Sequence, residues 1–168
     1  EDLPRQVVEQ ALLMIRDTLG TMLAGSTLPE VKGLASLAGS LSGAGRATLM
    51  GRARTTAPHF ASLVNGTGAV SLEMDEGNQY AINHPSVHIL PALLALVEEE
   101  QRSGTDLITA FVAGYEIAVR VGRATHLRDA VHPFGTTMIV GAAAAASRLL
   151  GLSVDETAQA IHLSSGVR

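Results

Sequence analysis

Apolar residues recur every three to four positions along most of the chain, which is the spacing of amphipathic helices. Near the N-terminus this spacing covers residues 7–23 and ends at Gly25-Ser26. Two later stretches, 105–123 and 136–150, show it again, and the second is rich in alanine and closed by Gly151. Glycine commonly ends helices, so the pattern predicts a long helix in each of these three stretches.

Capping residues and prolines predict where further helices begin. Thr27-Leu28-Pro29-Glu30 and Ser153-Val154-Asp155-Glu156 both have the form of a capping box, in which a hydroxyl and a carboxylate bond free N–H groups. Pro58 suits the first turn of a helix that we expect to extend toward residues 72–76. The helix that contains Pro91 either begins near residue 86 and bends, or begins at that proline.

The remaining segments indicate no large sheet. The short stretch 46–51 is bounded by glycines and could be an isolated extended piece, and no alternating strand pattern of any length is present. Six to eight helices joined by short loops predict an all-α, bundle-like domain.

Composition excludes several classes of function. Hydrophobic residues make up 46% of the chain and charged residues 17%, which is typical of a folded domain. A net charge of −4 argues against nucleic-acid binding, and the absence of cysteine excludes disulfides, thiolate metal sites and thiol nucleophiles. Neither a membrane span nor the basic start of a signal peptide is present, so we expect a cytoplasmic protein. Both ends look cut, and we interpret residues 1–168 as part of a longer protein.

Carboxylates and a histidine cluster in the middle of the chain. Glu73, Asp75 and Glu76 precede Gly77-Asn78, and the loop His84-Pro85-Ser86 follows shortly after. A histidine in a loop is a usable acid or base because its reference pKa is about 6.5. A solvated helix end and a structural histidine are the ordinary alternatives.

Metal and nucleotide sites have little support in the sequence. His84 and His88 are four residues apart, as helical metal ligands can be, but Pro85 disturbs the helical register and no His-Glu-x-x-His string exists. The glycine patterns at 43–48 and 66–68 do not follow a strand, which a dinucleotide loop requires. We therefore expect neither a metal nor a cofactor.

A second loop is a candidate for binding an anion. His132 precedes Gly135 and Thr136 just before the alanine-rich helix, and N–H groups and hydroxyls at a helix N-terminus favour anions. Arg120 and Arg123 lie one helical turn apart upstream and could hold an acidic substrate, although an ordinary solvated face explains them equally well.

Seven short sequence strings occur along the chain in the same order as in one protein family. They are Arg16-Asp17-Thr18-Leu19-Gly20, Asn65-Gly66, Leu72-Glu73-Met74-Asp75-Glu76, His84-Pro85-Ser86, Leu90-Pro91-Ala92, Gly114-Tyr115-Glu116 and Leu149-Leu150-Gly151-Leu152. Together they resemble the MmgE/PrpD family, which includes 2-methylcitrate dehydratase, cis-aconitate decarboxylase and iminodisuccinate epimerase. The resemblance implies that residues 1–168 form the N-terminal part of the family's large helical domain. The later part of that domain and a small α+β domain would then lie outside this sequence.

The resemblance also implies an active site. It assigns Glu73, Asp75, His84 and His132 as catalytic. It also places Glu76 at that site, and we predict substrate binding by Glu76 together with Asn78, Gly135, Thr136 and Arg120. The string Glu73-Met74-Asp75-Glu76 departs from the family's usual Asp-aromatic-Asp-Asp, which points to a divergent subgroup.

Together, residues and resemblance predict a metal-independent lyase or isomerase that acts on a small polycarboxylate, in the manner of 2-methylcitrate dehydratase. Removing a proton or CO₂ beside a carboxylate builds negative charge, which needs an acid, a base and cationic donors. We expect a homodimer without a cofactor, and no turnover by this stretch alone. Dehydratase, decarboxylase and epimerase all remain open, and so does a non-catalytic helical module that assembles with a partner.

Overall fold

The computed structural model of the chain describes residues 3–131 and 135–166. These ranges contain seven helices and two short strands. In chain order they are α1 (Arg5–Gly25), α2 (Pro29–Leu41), β1 (Ala47–Thr48), β2 (Thr55–Thr56), α3 (Pro58–Val70), α4 (Pro85–Glu99), α5 (Gly104–Ala124), α6 (Met138–Leu150) and α7 (Val154–Ser165). The predicted all-α class is confirmed, because the two strands have only two residues each and form one small antiparallel pair.

Two apolar cores hold the helices together. The larger core joins α1, α4, α5 and α6, and its fully buried side chains include Met22, Ile89, Leu93, Phe111 and Met138. The smaller core joins α2, the hairpin and α3. Helix α4 contributes to both, and its central position explains why its sequence is apolar on most sides.

The alanine-rich helix α6 crosses α5 at very short range. A Cβ on Gly114 would lie 2.5 Å from the Cβ of Ala145, and a Cβ on Gly141 would lie 2.5 Å from the Cβ of Ala118. Only residues with little or no side chain allow backbones this close. The small residues therefore set the distance between α5 and α6, and with it the position of the segment that leads into α6.

One predicted capping box is confirmed and the other is wrong. Ser153 caps α7, where its hydroxyl accepts from the Glu156 N–H at 3.3 Å and the Glu156 carboxylate accepts from the Ser153 N–H at 2.8 Å. At α2 the capping residue is Leu28, without a side-chain bond. The Thr27 hydroxyl instead donates to the Ala24 carbonyl at 2.7 Å, because Thr27 belongs to the turn that ends α1.

The third helix is shorter than predicted. It ends at Val70, where the Ser71 hydroxyl donates to the Thr67 carbonyl and the chain then turns. Glu73 follows with a φ of 50°, a left-handed conformation that breaks the helical path. The expectation that the helix extends toward residues 72–76 is therefore wrong, and the acidic cluster lies in the loop 71–84.

The start of helix α4 agrees with the first of the two predicted alternatives, whereas the predicted bend is untested. The helix begins at Pro85 and continues through the buried Pro91 to Glu99. The stretch 46–51 is not isolated, because Ala47 and Thr48 pair with β2 and the Glu98 carboxylate of α4 accepts from the Thr48 N–H at 2.5 Å. Within the described ranges, no helix has the length and apolar character needed to cross a membrane.

Candidate active site

The loop 71–84 folds back on itself just before α4. The Asn78 N–H donates to the Asn83 carbonyl at 2.8 Å, and the Asn83 N–H donates back at 3.4 Å. The Asn78 side chain closes the turn, because its Oδ1 accepts from the N–H groups of Tyr80 and Ala81 at 3.0 Å each. The closed turn brings Asp75 and Glu76 alongside the start of α4.

Asp75 and His84 lie against each other at this place, and they form an ion pair when the imidazole is protonated. Asp75 Oδ2 lies 2.9 Å from His84 Nδ1, with the carboxylate side chain 1% exposed and the imidazole side chain 35% exposed. Gly77 lies against the ring, since a Cβ there would be 3.7 Å from His84 Cε1. A buried carboxylate next to one ring nitrogen favours the protonated form of an imidazole, which suits a group that transfers protons.

Glu76 is held by a separate set of bonds. Its Oε2 accepts from the Ser86 N–H at 3.2 Å in the first turn of α4, and its Oε1 accepts from the Tyr115 hydroxyl. Asn78 Nδ2 donates to the same phenol oxygen at 3.1 Å. Burial, followed by the bond to Glu76, raises the pKa of Tyr115, so the phenol stays protonated and keeps donating. Glu76 and Asn78 thus join α5 to the loop, while their predicted contact with substrate stays a prediction.

The residues just before α6 are bonded to the end of the loop 71–84 through Asn83 and to α4 through His88. Asn83 Nδ2 donates to Thr137 Oγ1 at 3.4 Å, and Asn83 Oδ1 accepts from the His84 N–H at 2.8 Å. His88 lies one turn into α4, with Nδ1 2.8 Å from the His84 carbonyl and Nε2 3.2 Å from the Gly135 nitrogen. The sequence drew attention to His88 only as a metal ligand. Residues four apart in a helix lie next to each other. The spacing of His88 from His84 would therefore have predicted the contact with the His84 carbonyl if the start of α4 had been known.

The other predicted site residues are not all gathered here. Glu73 is exposed beyond the end of α3. Arg120 has a side chain 78% exposed and pairs with Glu116, one turn earlier on α5, at 2.9 Å. Thr136 is half-buried next to Gly135, and His132 lies outside the described residues.

The structure therefore brings Asp75, Glu76, Asn78, His84 and Gly135 into one neighbourhood. Among the described contacts, none joins Glu73 or Arg120 to that group. In the same ranges no three histidine or acidic side chains come close enough together to form a metal site. A reaction that needs no metal stays a prediction.

A cavity of about 330 Å³ lies beside Asn83, the residue that precedes His84. Asn83 and Thr137 form one part of its wall, and the segment after α5 supplies His126 and Arg128. A larger groove of about 440 Å³ lies between α1 and α5 and is mostly apolar. The smaller cavity is the more polar of the two. The carboxylate of Asp129 lines it together with the Arg128 guanidinium and the His126 imidazole.

The chain is similar to known proteins over almost its whole length. The sequence model of the MmgE/PrpD N-terminal domain matches residues 1–165. A cis-aconitate decarboxylase-like protein of Aspergillus oryzae is 30% identical over 97% of this chain and 36% of its own length. The cis-aconitate decarboxylase of Homo sapiens is 33% identical over 95% of this chain and 35% of its own length.

A more distant relative gives the same result. The cis-aconitate decarboxylase of Aspergillus terreus is 27% identical over 98% of this chain and 35% of its own length. The chain thus spans about a third of the length of the curated relatives it matches. The family domain matches nearly every residue, and the ordered strings of the sequence lie within that match, so the chain belongs to the MmgE/PrpD family.

Proposed function

We propose that the protein is a lyase acting on a small polycarboxylate, with His84 as the residue that transfers the proton. The observation that carries the proposal is the 2.9 Å contact between the buried Asp75 carboxylate and Nδ1 of the half-exposed His84 ring. The printed names of the relatives support the substrate class, since each is a cis-aconitate decarboxylase or is called similar to one. Decarboxylation of cis-aconitate is therefore the first reaction to test.

The pair suits this chemistry. When CO₂ leaves, the electron pair of the broken C–C bond stays on the substrate and spreads toward its double bond and remaining carboxylates. A proton must then form the new C–H bond, and in our proposal His84 Nε2 supplies it and regains one from water. Asp75 at Nδ1 stabilises the protonated ring, in the role that the aspartate plays in hydrolase triads.

The surroundings fit an anionic substrate. Arg128 and His126 line the cavity beside Asn83, and Gly135 lies near the start of α6. Asp129 lines the same cavity, so the support comes from the Arg128 guanidinium, which interacts more strongly with a carboxylate in a partly enclosed cavity than in water. Our proposal includes substrate contacts from Gly135, Thr136, Glu76 and Asn78, and it keeps Glu73, Arg120 and His132 as predicted site residues.

Further features of the proposal come from the sequence and the family resemblance. They are a homodimer, a reaction without a metal or cofactor, and a cytoplasmic location. Dehydration of 2-methylcitrate and epimerisation of iminodisuccinate stay within the proposal as alternative reactions, because both also need a proton transferred next to a carboxylate. Turnover is expected from the full-length protein and not from this stretch alone.

The test is a substrate panel with the full-length protein that carries this sequence. Cis-aconitate, 2-methylcitrate and iminodisuccinate are supplied separately, and CO₂ release, water loss and epimerisation are followed. For the substrate that reacts, we expect His84→Ala to lower kcat by roughly 100- to 10,000-fold, the usual effect of losing an acid or base.

The matched control for this test is His59→Ala. His59 is exposed on α3, where its ring packs on Phe60, and we expect kcat to stay within threefold of wild type. The proposal fails if His84→Ala also stays within threefold. Absence of turnover on the whole panel would favour the non-catalytic helical module instead.

A further inference from the structure

His88 connects two segments that the proposed reaction needs close together. Its ring lies between the first turn of α4 and the segment before α6, with Nδ1 2.8 Å from the His84 carbonyl oxygen. On its other side, Nε2 lies 3.2 Å from the Gly135 nitrogen. Gly135 has a φ of 74°, a conformation that glycine adopts readily and that side-chain-bearing residues rarely adopt.

The two contacts determine where the protons are. A carbonyl oxygen only accepts, so His88 Nδ1 must carry its hydrogen. A backbone N–H only donates, so His88 Nε2 must offer a lone pair to Gly135. The ring is therefore neutral and in the Nδ1–H tautomer, and a protonated ring would place a second donor against the Gly135 N–H.

We propose that His88 is a positioning residue that holds Gly135 against the first turn of α4, at a fixed distance from His84. The inference rests on the proposed function, in which His84 transfers the proton and Gly135 contacts the substrate. His88 does not take over the role of His84 or of Gly135. It acts by holding the two residues in position relative to each other. A displacement of about 1 Å between reacting groups can cost about 100-fold in rate, so a link of this kind has a measurable effect.

The electrostatic surroundings of the ring agree with this role. Burial lowers the pKa of His88, and the nearby His84 ring acts in the same direction. The bond to the His84 carbonyl and the charge of Asp75 act in the opposite direction, and burial is the largest of these effects. Because its folded pKa lies below 6.5, the link is fully present above about pH 6.5 and is lost as the pH falls through the folded value.

The test uses the full-length protein and two variants at this position. His88→Leu removes both contacts, whereas the amide of His88→Gln retains a donor and an acceptor. We expect His88→Leu to lower kcat/KM by roughly 10- to 100-fold and His88→Gln to recover at least half of that loss on a logarithmic scale. Equal losses in both variants, or a His88→Leu value within threefold of wild type, would overturn the proposal.

A second measurement keeps the test decisive if His88→Leu does not fold. Selective ¹⁵N labelling of histidine in the wild-type protein reports the tautomer and the titration of each ring, with His88→Gln giving the assignment. We expect a neutral Nδ1–H ring from pH 8 to below pH 6.5. An Nε2–H ring, or a ring half-protonated at or above pH 6.5, would contradict the link.

The outcomes separate the two proposals. If the wild type turns over a polycarboxylate and His84→Ala abolishes turnover, but the His88 results are negative, only the positioning role fails. If the wild type turns over nothing on the panel, the proposed function and the positioning role fail together. The ring signal then shows whether the link exists as part of the fold alone.

Discussion

At the scale of single residues, Asp75 and His84 could be selected from the sequence, but their pairing could not. A carboxylate cluster followed by a loop histidine indicates acid–base chemistry from residue types alone. Which carboxylate faces the ring depends on the path of the loop, and that path turns at Glu73 and Ile82, both with a φ of 50°. No local pattern predicts left-handed backbone at a glutamate or an isoleucine, because such residues adopt it rarely.

Tyr115 is a second example of a single residue with a large effect, because its hydroxyl joins α5 to the loop 71–84. We expect Tyr115→Phe to lower the free energy of unfolding by about 1–3 kcal/mol, because Glu76 and Asn78 each lose a partner. Urea denaturation measures this, and the loss should be similar at pH 6 and pH 9 because the raised pKa keeps the phenol protonated at both. The control is Tyr80→Phe, whose side chain is 71% exposed and should have little effect. Equal effects of the two substitutions would contradict the account.

At the scale of elements, periodicity and capping residues predicted most helices close to their observed bounds. They failed where one residue lies between two helices. Thr27 could cap the start of α2, but its hydroxyl bonds to the last turn of α1 instead. They also failed at the hairpin, because strands of two residues are too short to show alternation. An alanine-rich helix is typical of close packing, but the structure was needed to show that α6 packs on α5 and contacts Gly114.

The close crossing of these two helices gives a prediction at this scale. Gly141→Ala would place a Cβ 2.5 Å from that of Ala118 and 2.6 Å from the Gly114 carbonyl, so the helices must move apart. We expect this overpacking to lower the free energy of unfolding by about 1–3 kcal/mol, as measured by urea denaturation. Because α6 follows the Gly135 segment, kcat/KM should fall as well.

The control for this prediction is a glycine with open space around it. A Cβ on Gly20, exposed in the interior of α1, meets nothing within 4 Å. Gly20→Ala should therefore raise the free energy of unfolding by up to about 1 kcal/mol, because alanine favours the helix. Destabilisation of similar size in both variants would show that the α5–α6 crossing is not specially tight.

At the scale of the whole molecule, the packing of α4 against α5 and α6 is what assembles the site. The loop 71–84 supplies Asp75, the start of α4 supplies His84, and the segment before α6 supplies Gly135. Sequence reasoning placed these residues in one site only through the family resemblance, because contacts between distant segments leave no local pattern. The common core of α1, α4, α5 and α6 provides the physical reason that they meet.

The central claim is that Asp75 and His84 act as one unit, and a double-mutant cycle tests it most directly. The full-length wild type, Asp75→Asn, His84→Ala and the double variant are compared by kcat on the substrate that reacts. We expect Asp75→Asn alone to lower kcat at least tenfold, and to cost less than threefold further once His84 is alanine, because the carboxylate acts through the ring. A double variant whose loss equals the product of the two single losses would contradict the claim.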